Sequence, residues 1–168
     1  MLRNFTNIKH SGSISMESIF KNCNINTSAA TSATAYGISV SGSTIGSAGA
    51  DNDNITIQNN AINSANIGVY ANGSAATSTG GIDNLSVTGN AFSSTGTASP
   101  TYGVEVGNAL SAAVASNTFA LTTSASTQPV GISLETGVSN SSVTSNQITN
   151  CSTSATGGYG GRGITVGT

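Results

Sequence analysis

The sequence predicts an all-β chain wound as a single parallel solenoid of about five to six coils, with essentially no helix. Three observations predict it. An asparagine recurs in one local setting at positions 60, 90, 117 and 146, so successive copies lie 30, 27 and 29 residues apart. A tetrad of glycine, β-branched, variable and aliphatic residues recurs in phase with it. No stretch of about ten residues keeps apolar positions at i, i+3, i+4 and i+7, the spacing an amphipathic helix requires.

Each period opens on an alternating run: Asn54-Ile55-Thr56-Ile57, Asn84-Leu85-Ser86-Val87, Ser111-Ala112-Ala113-Val114 and Ser141-Ser142-Val143. Apolar positions two apart are the mark of a half-buried strand. The asparagine motif follows, as in Ile57-Gln58-Asn59-Asn60-Ala61-Ile62 and Val87-Thr88-Gly89-Asn90-Ala91-Phe92. Val114-Ala115-Ser116-Asn117-Thr118-Phe119 and Val143-Thr144-Ser145-Asn146-Gln147-Ile148 repeat it. The glycine tetrads close the period: Gly37-Ile38-Ser39-Val40, Gly68-Val69-Tyr70-Ala71, Gly103-Val104-Glu105-Val106, Gly131-Ile132-Ser133-Leu134 and Gly163-Ile164-Thr165-Val166. Each period therefore holds two or three short strands.

A propeller or sandwich would need tight antiparallel hairpins, and Asn-Gly occurs only at Asn72-Gly73. In a solenoid, equivalent strands of successive coils stack about 4.8 Å apart. Asn60, Asn90, Asn117 and Asn146 then form a vertical ladder in which each carboxamide offers both donors and an acceptor to its neighbours. Aspartate in the same file would repel itself.

The Val-x-x-Asn-x-Phe/Ile ladder and the Gly-Ile-x-Val strand resemble the right-handed parallel β-helix family, the pectate lyase-like superfamily. Its coil is found in pectate lyases, polygalacturonases, phage tailspikes and many surface proteins. The resemblance covers roughly residues 16–168 and implies one single-stranded right-handed β-helix domain over residues 1–168. Residues 51–168 would form regular coils of about 27–30 residues and residues 1–50 irregular ones. There, Phe20 takes the Ile57 position, Ile25 the Ile62 position, and Cys23 the place of the asparagine. A partial coil would run through Phe5, Ile8, Ile14 and Met16. About five to six coils make a solenoid roughly 25 Å long. Activity is not implied, because this coil serves lyases, hydrolases, adhesins and inert spacers alike.

Composition narrows the partners. Charged residues are 6% of the chain against about 25% in an ordinary domain, and Ser and Thr supply close to a third. Four cations, Arg3, Lys9, Lys21 and Arg162, cannot line a phosphate track, so no nucleic acid is expected. No apolar run is long enough for a membrane span. The hydroxyl-rich surface suits an extracellular, cell-surface or virion protein. Yet Met1 to Thr6 lack the apolar core of a secretory leader. A mature or truncated segment, secretion without a cleaved leader, and a phage protein assembled in the cytosol all fit. Cys23 and Cys151 read as two small buried thiols. A bond between them would have to join the end of one subunit to the start of the next, since they stand too many coils apart within one chain.

The carboxylates are Glu17, Asp51, Asp53, Asp83, Glu105 and Glu135. Alignment of coils sets Asp53-Asn54 over Asp83-Asn84 with Asp51 near, the weak candidates for a calcium site or a two-carboxylate glycosidase. The plainer reading is turn residues bonding their own backbone. Lyases of the resembled family combine such acids with a basic residue. No Arg or Lys falls in these coils, so no catalytic role is carried over and no enzyme is expected. His10 reads as a solvated turn residue, and Gly157 to Gly161 as a loop without the Lys-Ser/Thr of a phosphate cradle. No cofactor is indicated. Tyr36, Tyr70, Tyr102 and Tyr159 read as turn fillers before sugar-stacking rings.

Sequons begin at Asn4, Asn26, Asn54, Asn72, Asn84, Asn140 and Asn150, no more than chance predicts, and residues 93–101 and 121–127 suit O-linked sugars equally. The last residues, Gly163 to Thr168, stop inside an expected strand without a cap, which leaves Ile164 and Val166 for a neighbour. Unlike end surfaces of one subunit meet head to tail and propagate. The expectation is a self-assembling, possibly glycan-bearing extracellular fibre subunit. The alternatives are a carbohydrate-binding or polysaccharide-degrading β-helix of lyase or tailspike type, and an adhesin fragment. Thr56, Ser86, Ala113 and Ser142 are too mixed for an ice-binding array.

Overall fold

The structure, a computed structural model, describes residues 17–27, 35–49, 51–77, 79–96, 101–124, 126, 128–156 and 160–167. Asn4, His10, Tyr159 and the coil expected through Phe5, Ile8, Ile14 and Met16 lie outside them.

The first rung holds β1 (Ser18–Lys21), β2 (Asn24–Asn26) and β3 (Tyr36–Val40). The second holds β4 (Ile55–Gln58), β5 (Ala61–Asn63) and β6 (Ile67–Asn72), and the third β7 (Ile82–Asp83), β8 (Ser86–Thr88), β9 (Ala91–Gly96) and β10 (Tyr102–Gly107). The fourth holds β11 (Ala109–Leu110), β12 (Ala113–Ala115), β13 (Thr118–Thr123) and β14 (Val130–Leu134). The fifth holds β15 (Ser142–Thr144), β16 (Gln147–Thr153) and β17 (Arg162–Val166). Among the described residues there is no helix.

Equivalent strands stack into three five-stranded sheets, β1-β4-β8-β12-β15, β2-β5-β9-β13-β16 and β3-β6-β10-β14-β17, with a small β7-β11 pair between. Every pairing of these strands is parallel. The molecule is thus a parallel β-solenoid of about 4 turns, where five to six coils are expected from the sequence; the coil expected before Glu17 lies outside the described residues.

The turn from first to second sheet is short because one residue in it adopts the left-handed region: Asn22, Asn59, Gly89, Ser116 and Ser145 have φ of 57°, 54°, 67°, 56° and 55°. Each precedes Cys23 or a ladder asparagine. A second left-handed file, Asn54, Asn84, Ser111 and Asn140, opens the first sheet. Gly and Asn enter this region readily, and Ser111, Ser116 and Ser145 are held in it by the stacked turns around them.

Inside, register converts the repeat into columns of like side chains. Ile57, Val87 and Val114 are fully buried, with Phe20 and Val143 packed at either end of their file. Ile62, Phe92 and Phe119 form the next column, the two rings stacked with centroids 4.8 Å apart and planes 4° from parallel. Glycine is the second residue of each third-sheet strand, and at Gly68 and Gly103 the rings of Phe92 and Phe119 fill the space a Cβ would need. A Cβ on Gly68 would lie 2.5 Å from both Phe92 Cδ1 and the Gly103 carbonyl oxygen.

Candidate functional site

The asparagine ladder is directional. Asn60 donates from its backbone N–H (2.9 Å) and its Nδ2 (3.0 Å) to Asn90 Oδ1. Asn90 does the same to Asn117 Oδ1 at 2.8 and 3.0 Å, and Asn117 to Asn146 Oδ1 at 2.9 and 3.0 Å. Each remaining amide hydrogen goes to a backbone carbonyl one coil back, on Phe20, Ile57, Val87 and Val114 in turn. Cys23 occupies the same file, its N–H donating to Asn60 Oδ1 at 2.9 Å.

The outer face of the third sheet gathers groups that the sequence disperses. The variable residue of each glycine tetrad forms one outward column: Ser39, Tyr70, Glu105, Ser133 and Thr165. Tyr36 meets Tyr70 edge-on at 5.5 Å, and Tyr70 OH donates to Gly46 of the 41–49 loop at 2.9 Å. Tyr102 lies on the next rung. Ser133 hydroxyl donates to Glu135 Oε1 and shares a 2.7 Å hydrogen bond with Thr165. Burial, and then the Glu135 charge, push the Glu105 carboxyl up to about 7. Burial with Glu105 and Glu135 also raises the Tyr102 phenol, against an opposing pull from Arg162. Register alone could have found this cluster, since both glutamates fall at or beside the outward position of a tetrad.

The weak cation candidates do not converge. Asp53 Oδ1 instead accepts from the Asp83 N–H of the next coil at 3.0 Å, a bond between coils rather than within its own turn. Asp83 Oδ1 is shut away from solvent without a hydrogen-bond partner. Burial first, then Asp53 and Asp51, raises its carboxyl above the ordinary range. Among the described residues no three His, Cys, Asp or Glu side chains come together to hold a metal ion.

The sequons divide by their bonding. Asn84 Nδ2 donates to Asn54 Oδ1 at 3.1 Å, while Asn72 donates to Tyr70 OH at 3.1 Å and accepts from Asn108 at 3.2 Å. Asn26 is also hydrogen-bonded. Asn26, Asn84, Asn140 and Asn150 are all exposed, whereas Asn54 and Asn72 are half-buried. Asn54, Asn84 and Asn140 recur because they fill left-handed turn positions.

Both cysteines are free thiols, and burial pushes Cys151 up to about 11. The two thiols stand in different files of the solenoid. Cys23 stands in the asparagine file, whereas Cys151 pairs with Leu121, four residues beyond Asn117. At about 3.3 Å per residue the two files lie some 13 Å apart, beyond the roughly 7 Å Cα limit of a disulfide.

The fifth rung leaves inner positions open. Ile164 and Val166 continue the columns of Ile132 and Leu134, which are 0% and 8% exposed, yet they are 50% and 73% exposed themselves. The second sheet is less regular at this edge, where Thr149 makes a bulge between Ile148 and Asn150. No described helix is long and apolar enough to cross a membrane. Compared with known families, curated proteins and solved structures, the chain matches none.

Proposed function

We propose that the protein is a structural β-solenoid unit that stacks head to tail on copies of itself into a fibre, in an extracellular or cell-surface setting. The observation that carries this reading is the fifth rung, where Ile164 and Val166 occupy core columns but face outward along the axis. A strand edge with apolar inner positions and unpaired peptide groups is a template for another strand. The first rung of a second copy has the same three-sheet cross-section, and its Phe20, Ile25 and Ile38 are only partly buried. The hydroxyl-rich, charge-poor surface fits that setting, and Asn26, Asn84, Asn140 and Asn150 are the exposed sequons among the described residues.

Sedimentation across a dilution series, with negative-stain microscopy of the concentrated end, tests the reading. Concentration-dependent rods with an axial repeat of roughly 24 Å, five rungs at about 4.8 Å each, are expected. A monomer at every concentration overturns it.

The third-sheet face favours a second reading, a carbohydrate contact. Tyr36 and Tyr102 are half-buried beside the half-buried Glu105 and Glu135, with Tyr70 and Ser133 buried beneath them, a mixture suited to hydroxyl-rich ligands. Titration with neutral and uronate oligosaccharides, followed by tyrosine fluorescence, should give a saturable change that Glu105→Gln alters. A flat signal for every sugar removes this reading.

A further inference from the structure

On the outer face of the third sheet, two carboxyl groups from successive coils meet phenols and no cation. Register sets Glu105 one rung above Tyr70 and one below Ser133, and the Ser133 hydroxyl donates to Glu135 Oε1. The phenols of Tyr36 and Tyr102 both feel the Glu105 charge, and Glu105 feels that of Glu135. Of the described cations, Lys21 belongs to β1 on the first sheet, and Arg162 Nε donates to Gln128 Oε1 at 2.7 Å. The 41–49 loop walls off one end of the face. Tyr70 OH donates to the Gly46 carbonyl at 2.9 Å, Gly49 N–H donates to the Asn72 carbonyl at 2.6 Å, and a Cβ on Gly46 would collide with the Tyr36 hydroxyl. That wall holds the tyrosine pair in place, while Tyr102, Glu105 and Glu135 lie beyond it, half-buried. Carboxylates crowded beside phenol rings repel an anion and favour an ammonium, which gains from the charges and from the ring faces together.

Resting on the carbohydrate reading, we propose that this face takes an amine-bearing saccharide, its ammonium seated against Glu105 and Glu135 beside Tyr102 and its hydroxyls directed along the same column toward Thr165. The loop bounds the ligand on the Tyr70 side, so it lies over β10 and β14. A uronate would bring a further negative charge to the pair and bind worst, with neutral sugars between. Binding is also coupled to a proton. Glu105 keeps its proton up to about 7 in the free protein, and a cation beside it favours the ionised form, so binding below that pH releases protons. The groups that surround Glu105 in this step are Glu135, Tyr102, Tyr70 and Tyr36.

Calorimetric titration of the full chain with a glucosamine oligosaccharide, its N-acetylated counterpart and an oligouronate of the same length tests this. The free amine should bind roughly tenfold more tightly than the acetylated sugar, and the uronate most weakly. Glu105→Gln and Glu135→Gln should each erase most of that preference, with circular dichroism showing that the strands persist. A trimethylated glucosamine oligomer, whose charge is fixed, should release protons at pH 6 from wild type and none from Glu105→Gln. If acetylated and free-amine sugars bind alike, the amine is overturned while the carbohydrate contact stands. If spermidine binds as tightly as the sugar amine, the saccharide is overturned and the face reads charge alone. If no sugar binds, both fall.

Discussion

Asn117 is fully buried and belongs to the file in which a missing side chain is felt on both sides. Asn117→Ala would leave Asn90 with two donors, N and Nδ2, aimed at an oxygen that no longer exists. At about 1–3 kcal/mol for each buried unsatisfied donor, the loss should be roughly 2–6 kcal/mol. Urea unfolding should show it as a lower midpoint at similar slope. A loss below about 1 kcal/mol would mean that the ladder is not a principal source of stability. Asn117→Asp should do no better: the carboxylate can accept, but its charge is buried and it cannot donate to Asn146 Oδ1 or the Val87 carbonyl. The ladder was legible in the sequence because only one residue type meets the demand for donor and acceptor in file. The left-handed turn file was not, because Asn22, Asn59, Gly89, Ser116 and Ser145 satisfy the same φ with three different side chains.

At the scale of the strand, inward and outward positions of the third sheet obey different constraints. Inward, glycine and aromatic positions are complementary across a corner, so the tetrad and the asparagine motif specify each other. Outward, nothing imposes a residue type, which is why Ser39, Tyr70, Glu105, Ser133 and Thr165 share a column without sharing chemistry. Alignment of coils on their first-sheet turns singles out Asp51, Asp53 and Asp83; alignment on the glycine tetrads brings Glu105 and Glu135 from successive coils to one face. Glu105 has a consequence for stability. Its proton is held to about 7 in the fold, against an ordinary value of 4.5. Between those values the folded state binds more protons than the unfolded chain, so stability is greatest below about 4.5, declines as pH rises to about 7, and is level above. Glu105→Gln should flatten the difference between urea midpoints at pH 5 and pH 8. The groups around it, Glu135, Tyr102, Tyr70 and Tyr36, remain in place in that variant. An unchanged pH 5 to pH 8 difference would show that the carboxyl is solvated like any surface glutamate.

For the whole molecule, the decisive asymmetry lies between the interior rungs and the last one. Parallel coils bury their columns only by covering one another, so an inner residue without a coil above it is exposed whatever its type. Val166 is such a residue, in file with Val40, Ala71, Val106 and Leu134. Val166→Lys exploits this. In an isolated copy the position is 73% exposed, so the ammonium stays in water and both the circular dichroism and the urea midpoint should match wild type. In a stack the same group would be closed between two rungs of aliphatic side chains without a counter-ion, a burden of several kcal/mol. With a factor of ten for each 1.36 kcal/mol, association should weaken by about a hundredfold or more. Sedimentation at a concentration where wild type forms rods should then show single molecules. Rods of undiminished length in Val166→Lys would place the contact somewhere other than the open rung, and the long axis of the solenoid would no longer be the axis of the fibre.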